Sequence, residues 1–323
     1  MKYFFALFLL SIFTTDVSFA SSDLLYFEAQ GVSGYSSKHK IIYRSGMPND
    51  NMQLNSIGFD YFKKFTGEVE DEGTAALQMR IAHNEEQNKI EVQVYNAYIK
   101  SKNKFSDIWI GHNRVAYGLA SYWDTHGDLL QPLSMYGFGF DRDWGIGLLE
   151  DTEHGSFSVS LTSGSGMGIR RYGNWLFASR ISNGILNYDN YNIGLSFMGG
   201  KILEVVGYTI MNAKPKNVAM GSIDFSYNYD NIEHKIEINF GQKDRKEVFA
   251  SLYRVGLNFL EENRLKLEGQ SLYIKQNGMN DQALGVGTTY KIDSNLTARI
   301  MYEWQRRMND HKTVIQIYYY LAV

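Results

Sequence analysis

Apolar residues recur at every second position over stretches of about ten residues. In Ile232–Phe240 the apolar set is Ile232, Ile236, Ile238 and Phe240, with Glu233, Lys235, Glu237 and Asn239 between them. In Phe249–Phe259 one face carries Phe249, Tyr253, Val255, Leu257 and Phe259, and the other Arg254, Gly256 and Asn258. In Leu296–Trp304 one face reads Leu296, Ala298, Ile300, Tyr302 and Trp304, against Thr297, Arg299, Met301 and Glu303. A period of two places successive side chains on opposite faces of a strand, so these are strands with one apolar and one polar face.

Two architectures produce that pattern: a soluble sandwich, apolar inside, and a membrane barrel, apolar outside with a polar lumen. Strand length separates them. Sandwich strands average about 5–6 residues, whereas membrane strands need about 9–11. The longer alternating segments here match the second figure. Proline, which cannot donate to a β-ladder, occurs only 3 times, while Tyr occurs 23 times and Gly 30 times. Tyrosine suits both strands and membrane–water interfaces.

Sixteen segments read as strands: 23–34, 54–65, 74–83, 90–101, 105–112, 144–150, 155–163, 190–198, 202–211, 218–229, 232–242, 247–260, 264–275, 282–292, 295–307 and 312–322. The even count suits a single-chain barrel, and eighteen is the other count the pattern allows. The segment 174–182 is assigned to a loop to keep the parity. With both termini in the periplasm, the short Asn-, Asp- and Gly-rich connections fall on that side. They are Lys102–Lys104, Asp151–His154, Gly199–Lys201, Asp230–Asn231, Glu261–Asn263 and Asp293–Ser294, with a longer acidic turn at Thr66–Gly73. The long loops Tyr35–Gln53, Asn113–Asp143 and Gly164–Asp189 fall on the other. That asymmetry is the one expected of outer-membrane barrels.

The first residues set the compartment. Lys2 precedes an apolar run from Tyr3 to Phe13, and Ser18-Phe19-Ala20 places small residues before a cut ahead of Ser21. This is the pattern of a cleavable secretory signal peptide over 1–20, leaving 21–323 as the barrel. The absence of cysteine excludes a disulfide framework. A formal charge of −3 offers no electrostatic case for nucleic acid.

Tyr95-Asn96-Ala97-Tyr98-Ile99, followed by Ile108-Trp109-Ile110-Gly111-His112-Asn113-Arg114, resembles a recurrent stretch of Gram-negative outer-membrane porins. In that stretch an Ala-aromatic-aliphatic strand end precedes a short turn. An alternating strand closing on Gly and a basic residue then leads into a long loop. The resemblance covers about twenty residues of the chain. It implies a loop after the fifth strand that folds inward and narrows the pore, and an assembly into homotrimers. The longest loop, Asn113–Asp143, stands at that place. Two departures stand out. The chain ends on Val323 where the family ends on an aromatic residue, and the acidic loop motif of the enteric general porins is absent.

The expected fold is therefore all-β: a transmembrane antiparallel up-and-down β-barrel of about sixteen strands with a long loop after strand 5. Alternation puts Arg80, Arg254, Arg299 and Glu303 on the lumen side. Arg114, Asp124 and Asp128 belong to the constriction loop that the resemblance implies. A field between an acidic loop and a basic wall would orient small polar solutes. The Gly-rich stretch Gly164–Gly168 before Arg170 and Arg171 lacks the spacing and Lys of a phosphate loop and reads as a flexible surface loop. His112, His126 and His154 form no metal-ligand spacing, and no metal or cofactor is expected. Asp124-Thr125-His126 is the nearest approach to a catalytic grouping.

The expected function is passive diffusion of small hydrophilic solutes or ions across the cell outer membrane, with outer-membrane lipid as the surrounding partner and no enzyme activity. Two other readings compete. One is a closed barrel serving as an adhesin or structural protein, which requires inward residues to fill the lumen. The other is an outer-membrane hydrolase, which requires a Ser–His or Asp–His pair at one rim.

Overall fold

The computed structural model describes residues 20–38, 41–43, 52–67, 71–84, 88–120, 122–276 and 278–323. The signal-peptide segment, apart from Ala20, lies outside them, as does much of the loop Tyr35–Gln53. The strands form one antiparallel sheet. They are β1 (Ala20–Ser36), β2 (Ile41–Tyr43), β3 (Asn55–Thr66), β4 (Asp71–Asn84), β5 (Lys89–Ser101) and β6 (Asp107–Arg114). Next come β7 (Arg142–Thr152), β8 (Gly155–Thr162), β9 (Trp175–Asn183), β10 (Tyr191–Val206), β11 (Thr209–Tyr229) and β12 (Ile232–Lys243). The last are β13 (Lys246–Phe259), β14 (Leu265–Gln276), β15 (Met279–Lys291), β16 (Leu296–Gln305) and β17 (Asp310–Ala322).

Each strand pairs with its neighbour in sequence, and β1 pairs with both β3 and β17, which closes the barrel. The three-residue β2 only extends the end of β1, pairing over Gly34–Ser36. The wall therefore has sixteen strands, as expected. The seam between first and last strands runs in register from Tyr26–Ala322 to Ser36–Lys312. Val323 adds a further backbone bond to Leu25, so the aliphatic end takes part in closure.

The alternation holds. Ile81, Ile110, Leu161, Leu195, Val286 and Ile315 are among many exposed apolar side chains facing outward. Glu28, Arg80, Arg180, Asp224, Glu237, Arg254 and Glu303 face inward and are buried. No helix of the described residues is long and apolar enough to cross a membrane, so a crossing would be made by strands.

Two sequence assignments fail, and their errors cancel in the count. The segment 174–182, set aside as a loop, is wall strand β9, paired with β8 from Leu176–Thr162 to Asn183–Gly155. Consequently Gly164–Asp189 is not one long loop. Gly199–Lys201 is not a turn but the middle of β10, where Gly200 pairs with Leu176 on one side and Val218 on the other. A Cβ on Gly200 would stand 2.3 Å from the Trp175 carbonyl oxygen. The glycine is there because neighbouring backbone comes close, which a turn signal cannot distinguish. Segments 190–198 and 202–211 accordingly belong mostly to the one strand β10, while 218–229 is part of β11, which begins at Thr209.

Strands β10 and β11 are 16 and 21 residues long. The wall neighbours stop earlier: β9 pairs with β10 only as far as Lys201, and β12 pairs with β11 only from Val218. Residues 202–217 therefore extend past the wall ladder as a hairpin, beyond the membrane requirement of about 9–11 residues per strand, with Ile202, Leu203 and Val205 of its root buried in the core and the Leu203 N–H on the Gly164 carbonyl at 2.9 Å.

Candidate functional site: the lumen and its inward loop

Residues 115–141, between β6 and β7, run inside the barrel. Leu119, Trp123, Leu133 and Phe138 are fully buried, and burying a side chain of that size stabilises by roughly 1.5–3 kcal/mol. They pack on Leu176, Met198, Met220, Val248, Leu252 and Leu272 of the wall, with Phe140 alongside. The inward faces of β9–β15 are therefore apolar near the loop and polar elsewhere. A uniformly polar lumen was the expectation. The apolar inward residues exist because the loop needs a dry surface to pack on.

Polar bonds fix the loop's course. The Tyr117 hydroxyl donates to the Gly221 carbonyl (3.1 Å), the Gly118 N–H to Ser196 Oγ (3.0 Å) and the Leu119 N–H to Glu237 (3.2 Å). From the wall, Gln270 donates to the Gln131 carbonyl (3.0 Å), Lys243 to that of Gly137 (2.5 Å) and Gln316 to that of His126 (3.3 Å). Loop carbonyls buried away from water must find such donors, and lysine, arginine and amide side chains of the lumen supply them.

The predicted site residues divide into two groups. Arg80, Arg254 and Glu303 face inward but are buried and engaged in holding other elements. Arg80 donates to Gln93 (2.7 Å) and to the Met52 carbonyl. Arg254 donates to Gln270 (2.7 Å) and the Leu130 carbonyl (2.5 Å), and pairs with Asp128 at 3.5 Å. Glu303 meets Lys312 at 3.5 Å and accepts from Gln305 at 2.7 Å.

Arg114, Arg299 and Asp124, by contrast, line an open chamber of about 890 Å³, together with Asp60, Arg142, Tyr95 and Tyr318. Arg114 is held by the Ala120 and Trp123 carbonyls (3.1 and 3.0 Å), and Arg299 by Gln316 (2.7 Å). Neither has a carboxylate within ion-pair distance among the described residues. Asp124 accepts from the Tyr95 hydroxyl at 3.2 Å, and Asp60 from the Tyr320 hydroxyl at 2.9 Å. Arg114, Arg299, Asp60 and Asp124 are thus hydrogen-bonded to neutral groups rather than to one another, and Arg142 alone of the chamber residues named is ion-paired.

Sequence reasoning missed Arg142 and Asp60. Arg142 lies directly opposite Arg114 in the β6–β7 ladder. Like charges in that position are unfavourable, and the Asp141 carboxylate at 2.6 Å offsets them. Alternation could have placed Asp60 inward, beside Gly58 on β3. A second cavity of about 450 Å³ shares Asn96, Arg114 and Arg142 with the first and reaches Trp109 and Leu186.

Asp124-Thr125-His126 does not form a catalytic pair. Asp124 accepts from the backbone N–H of His126 at 3.2 Å, while both ring nitrogens lack a hydrogen-bond partner among the described residues and the ring stacks on Tyr95 at 3.5 Å. Burial, with Arg80 and Arg142 nearby, holds this imidazole well below its usual range. No cluster of metal-ligating side chains is found among the described residues. The stretch Gly164–Gly168 is not a flexible surface loop. Asp143 accepts from Ser163 Oγ and the Gly164 N–H, both at 2.6 Å, and Met167 is buried.

A closed sixteen-stranded antiparallel barrel with a long inward loop after its fifth wall strand is the fold of the bacterial outer-membrane porins. Solved structures of outer-membrane proteins, porins among them, match nearly the whole chain. OmpT of Vibrio cholerae, in its trimer form, matches with a TM-score of 0.65 at 10% identity over 94% of this chain and 100% of that one. An anion-selective porin from Comamonas acidovorans matches at 0.64 and 10%, over 94% and 100%. OmpF of Salmonella typhi matches at 0.63 and 12%, over 93% and 97%. At such identities the likeness is one of fold. No family model matches the chain, and no curated protein sequence does.

Proposed function

We propose that the chain is an outer-membrane channel for passive diffusion of small hydrophilic solutes or ions. The observation that carries this reading is the chamber of about 890 Å³ lined by Arg114, Arg142, Arg299, Asp60 and Asp124 beneath an inward loop. Arg114, Arg299, Asp60 and Asp124, whose partners are neutral groups, remain available to a passing solute. The solute gradient supplies the driving force, and the local field at the chamber sorts solutes by charge. The outward apolar belt suits lipid, and a homotrimer is part of this reading. Single-channel recording of the purified, folded protein in planar bilayers tests it. Discrete conductance steps are expected, and their absence would remove the reading.

A second reading, a closed barrel with a structural or adhesive role, is favoured by one observation. The loop fills much of the lumen beside β9–β15 with apolar side chains. The same recordings separate the two.

A further inference from the structure

We propose that the hairpin of residues 202–217 is a movable roof over the loop-bearing mouth of the barrel, latched by Tyr208. This inference rests on the channel reading.

Three observations lead to it. First, the hairpin reaches across the mouth. The Tyr208 hydroxyl at its tip donates to the Val94 carbonyl of β5 at 3.0 Å, although β5 is separated from β10 by four wall strands. Secondly, the tip rests on a cluster drawn from separate elements: Met52 before β3, Tyr95 on β5, Met135 in the inward loop and Met167 after β8, with Val206 and Tyr208 packed against it. Methionine is unbranched and adaptable, so such a surface can release and re-form contacts with little penalty. Thirdly, the hairpin's root is irregular and undercut. Its register shifts between Ile202 and Glu204 and again between Glu204 and Val205, and bulges of this kind bend and re-aim a strand. A cavity of about 310 Å³ lies at the root, lined by Ile202–Val206 and Met211 on one side and by Tyr136, Gly137 and Phe140 of the inward loop on the other.

The arm is therefore pinned at its tip and bent at its root, with space between. Lifting the tip gives up the Tyr208 hydrogen bond and the contacts of Val206 and Tyr208 on the methionine cluster, while the root stays held by the Leu203 N–H on the Gly164 carbonyl and by buried Ile202, Leu203 and Val205. The wall ladder is untouched, because β9 and β12 do not pair with this part. A closed roof covers the entrance above the inward loop, and an open one exposes it.

Two variants test the roof, each read by the duration of closed states in planar bilayers. Replacing residues 204–213 by Asn-Gly removes the arm, and should abolish long closures and raise the mean conductance at least about two-fold. Tyr208→Phe keeps the ring and removes the donor. It should lower the closed-to-open ratio about five-fold, the shift that about 1 kcal/mol for one hydrogen bond produces. If the shortened variant does not fold, Tyr208→Phe decides alone, and unchanged closed durations overturn the roof. If the wild type and both variants conduct alike, the roof falls and the channel stands. If none conducts, both fall.

Discussion

The guanidinium of Arg254, on the barrel wall, lies 4.0 Å over the ring of Trp123, in the inward loop. The same arginine donates to the Leu130 carbonyl further along that loop, so one wall residue holds the loop at two points. Arg254→Met should keep most of the packing and remove the donors, leaving the Leu130 carbonyl and Gln270 to find others. Breaking a buried charged contact costs about 3 kcal/mol or more. The midpoint for urea unfolding should fall accordingly, and the single-channel current should become noisier as the loop loosens. An unchanged midpoint would refute the anchoring role.

The partner of Arg254 titrates near neutrality. Burial pushes the Asp128 carboxyl up to about 6, against the pull of Arg254. Its folded value therefore lies above its unfolded one, and the folded state binds the proton more tightly. Asp128 should favour folding most below about pH 4, and that contribution is lost as pH rises through about 6. Protonation also removes a negative charge from beside the lumen. Reversal potentials measured in a salt gradient should shift toward anions as pH falls through about 6. Asp128→Asn should remove that step, and a step of unchanged size in this variant would assign it elsewhere.

Charges lining the chamber should set selectivity more than the formal net charge does. A unit charge about 4 Å away in a water-like medium contributes ~1 kcal/mol, a factor of about five in ion occupancy. Asp124→Asn should raise the anion-to-cation permeability ratio by up to that factor. Arg299→Gln, which removes a cation with no carboxylate partner, should lower it by a similar amount. Buried Glu303, engaged with Lys312 and Gln305, should change stability more than selectivity when made Gln. Selectivity that ignores Asp124 and Arg299 would mean that ions pass elsewhere.

Gly147 on β7 faces inward against Trp109 of β6. A Cβ at that position would lie 2.5 Å from the indole nitrogen. Gly147→Val should drive the indole out of its place and into the cavity of about 450 Å³ that Trp109 lines. Overpacking of this kind costs about 1–3 kcal/mol. Reduced heat stability together with a lower conductance is the expected pair of changes. A variant as stable and as conductive as the parent would show that the indole has room to move.

Much of the fold was legible because a wall strand writes its two environments into alternate residues. The faces of β12, β13 and β16 could be read residue by residue for that reason. β9 was misread because an even strand count had already been reached by cutting β10 in two at Gly199–Lys201, so that Trp175–Asn183 would have broken the parity. Gly199-Gly200-Lys201 was itself misread because a close backbone approach and a turn both call for glycine. The site was legible only in part. Alternation gives the side of the wall on which Arg80, Arg254 and Arg299 stand. Whether an inward arginine lines open space or holds a loop carbonyl depends on the path of residues 115–141. The apolar wall patch that steers that path lies on strands far from it in sequence. Tyr208 reads as an ordinary tyrosine within the strand 202–211 until the turn between β10 and β11 and its distant acceptor, Val94, are known.

The distribution of the loop's contacts also bears on how such a barrel can be made. Its larger dry packing surface comes from strands β9 to β15, whereas a smaller one at the seam, Val32 of β1, Met301 of β16 and Val314 of β17, takes only Leu129 and Leu130, beside the Gln316 bond to the His126 carbonyl. A curved sheet still open at its edges would already offer the loop most of its seat. The loop can then settle before the first and last strands zip together, and the seam closes over contents that are already in place. Threading a chain through a finished ring is never required. Damage to the seam should therefore leave a sheet with its loop docked, while damage to the apolar seat should yield a closed but unsettled barrel.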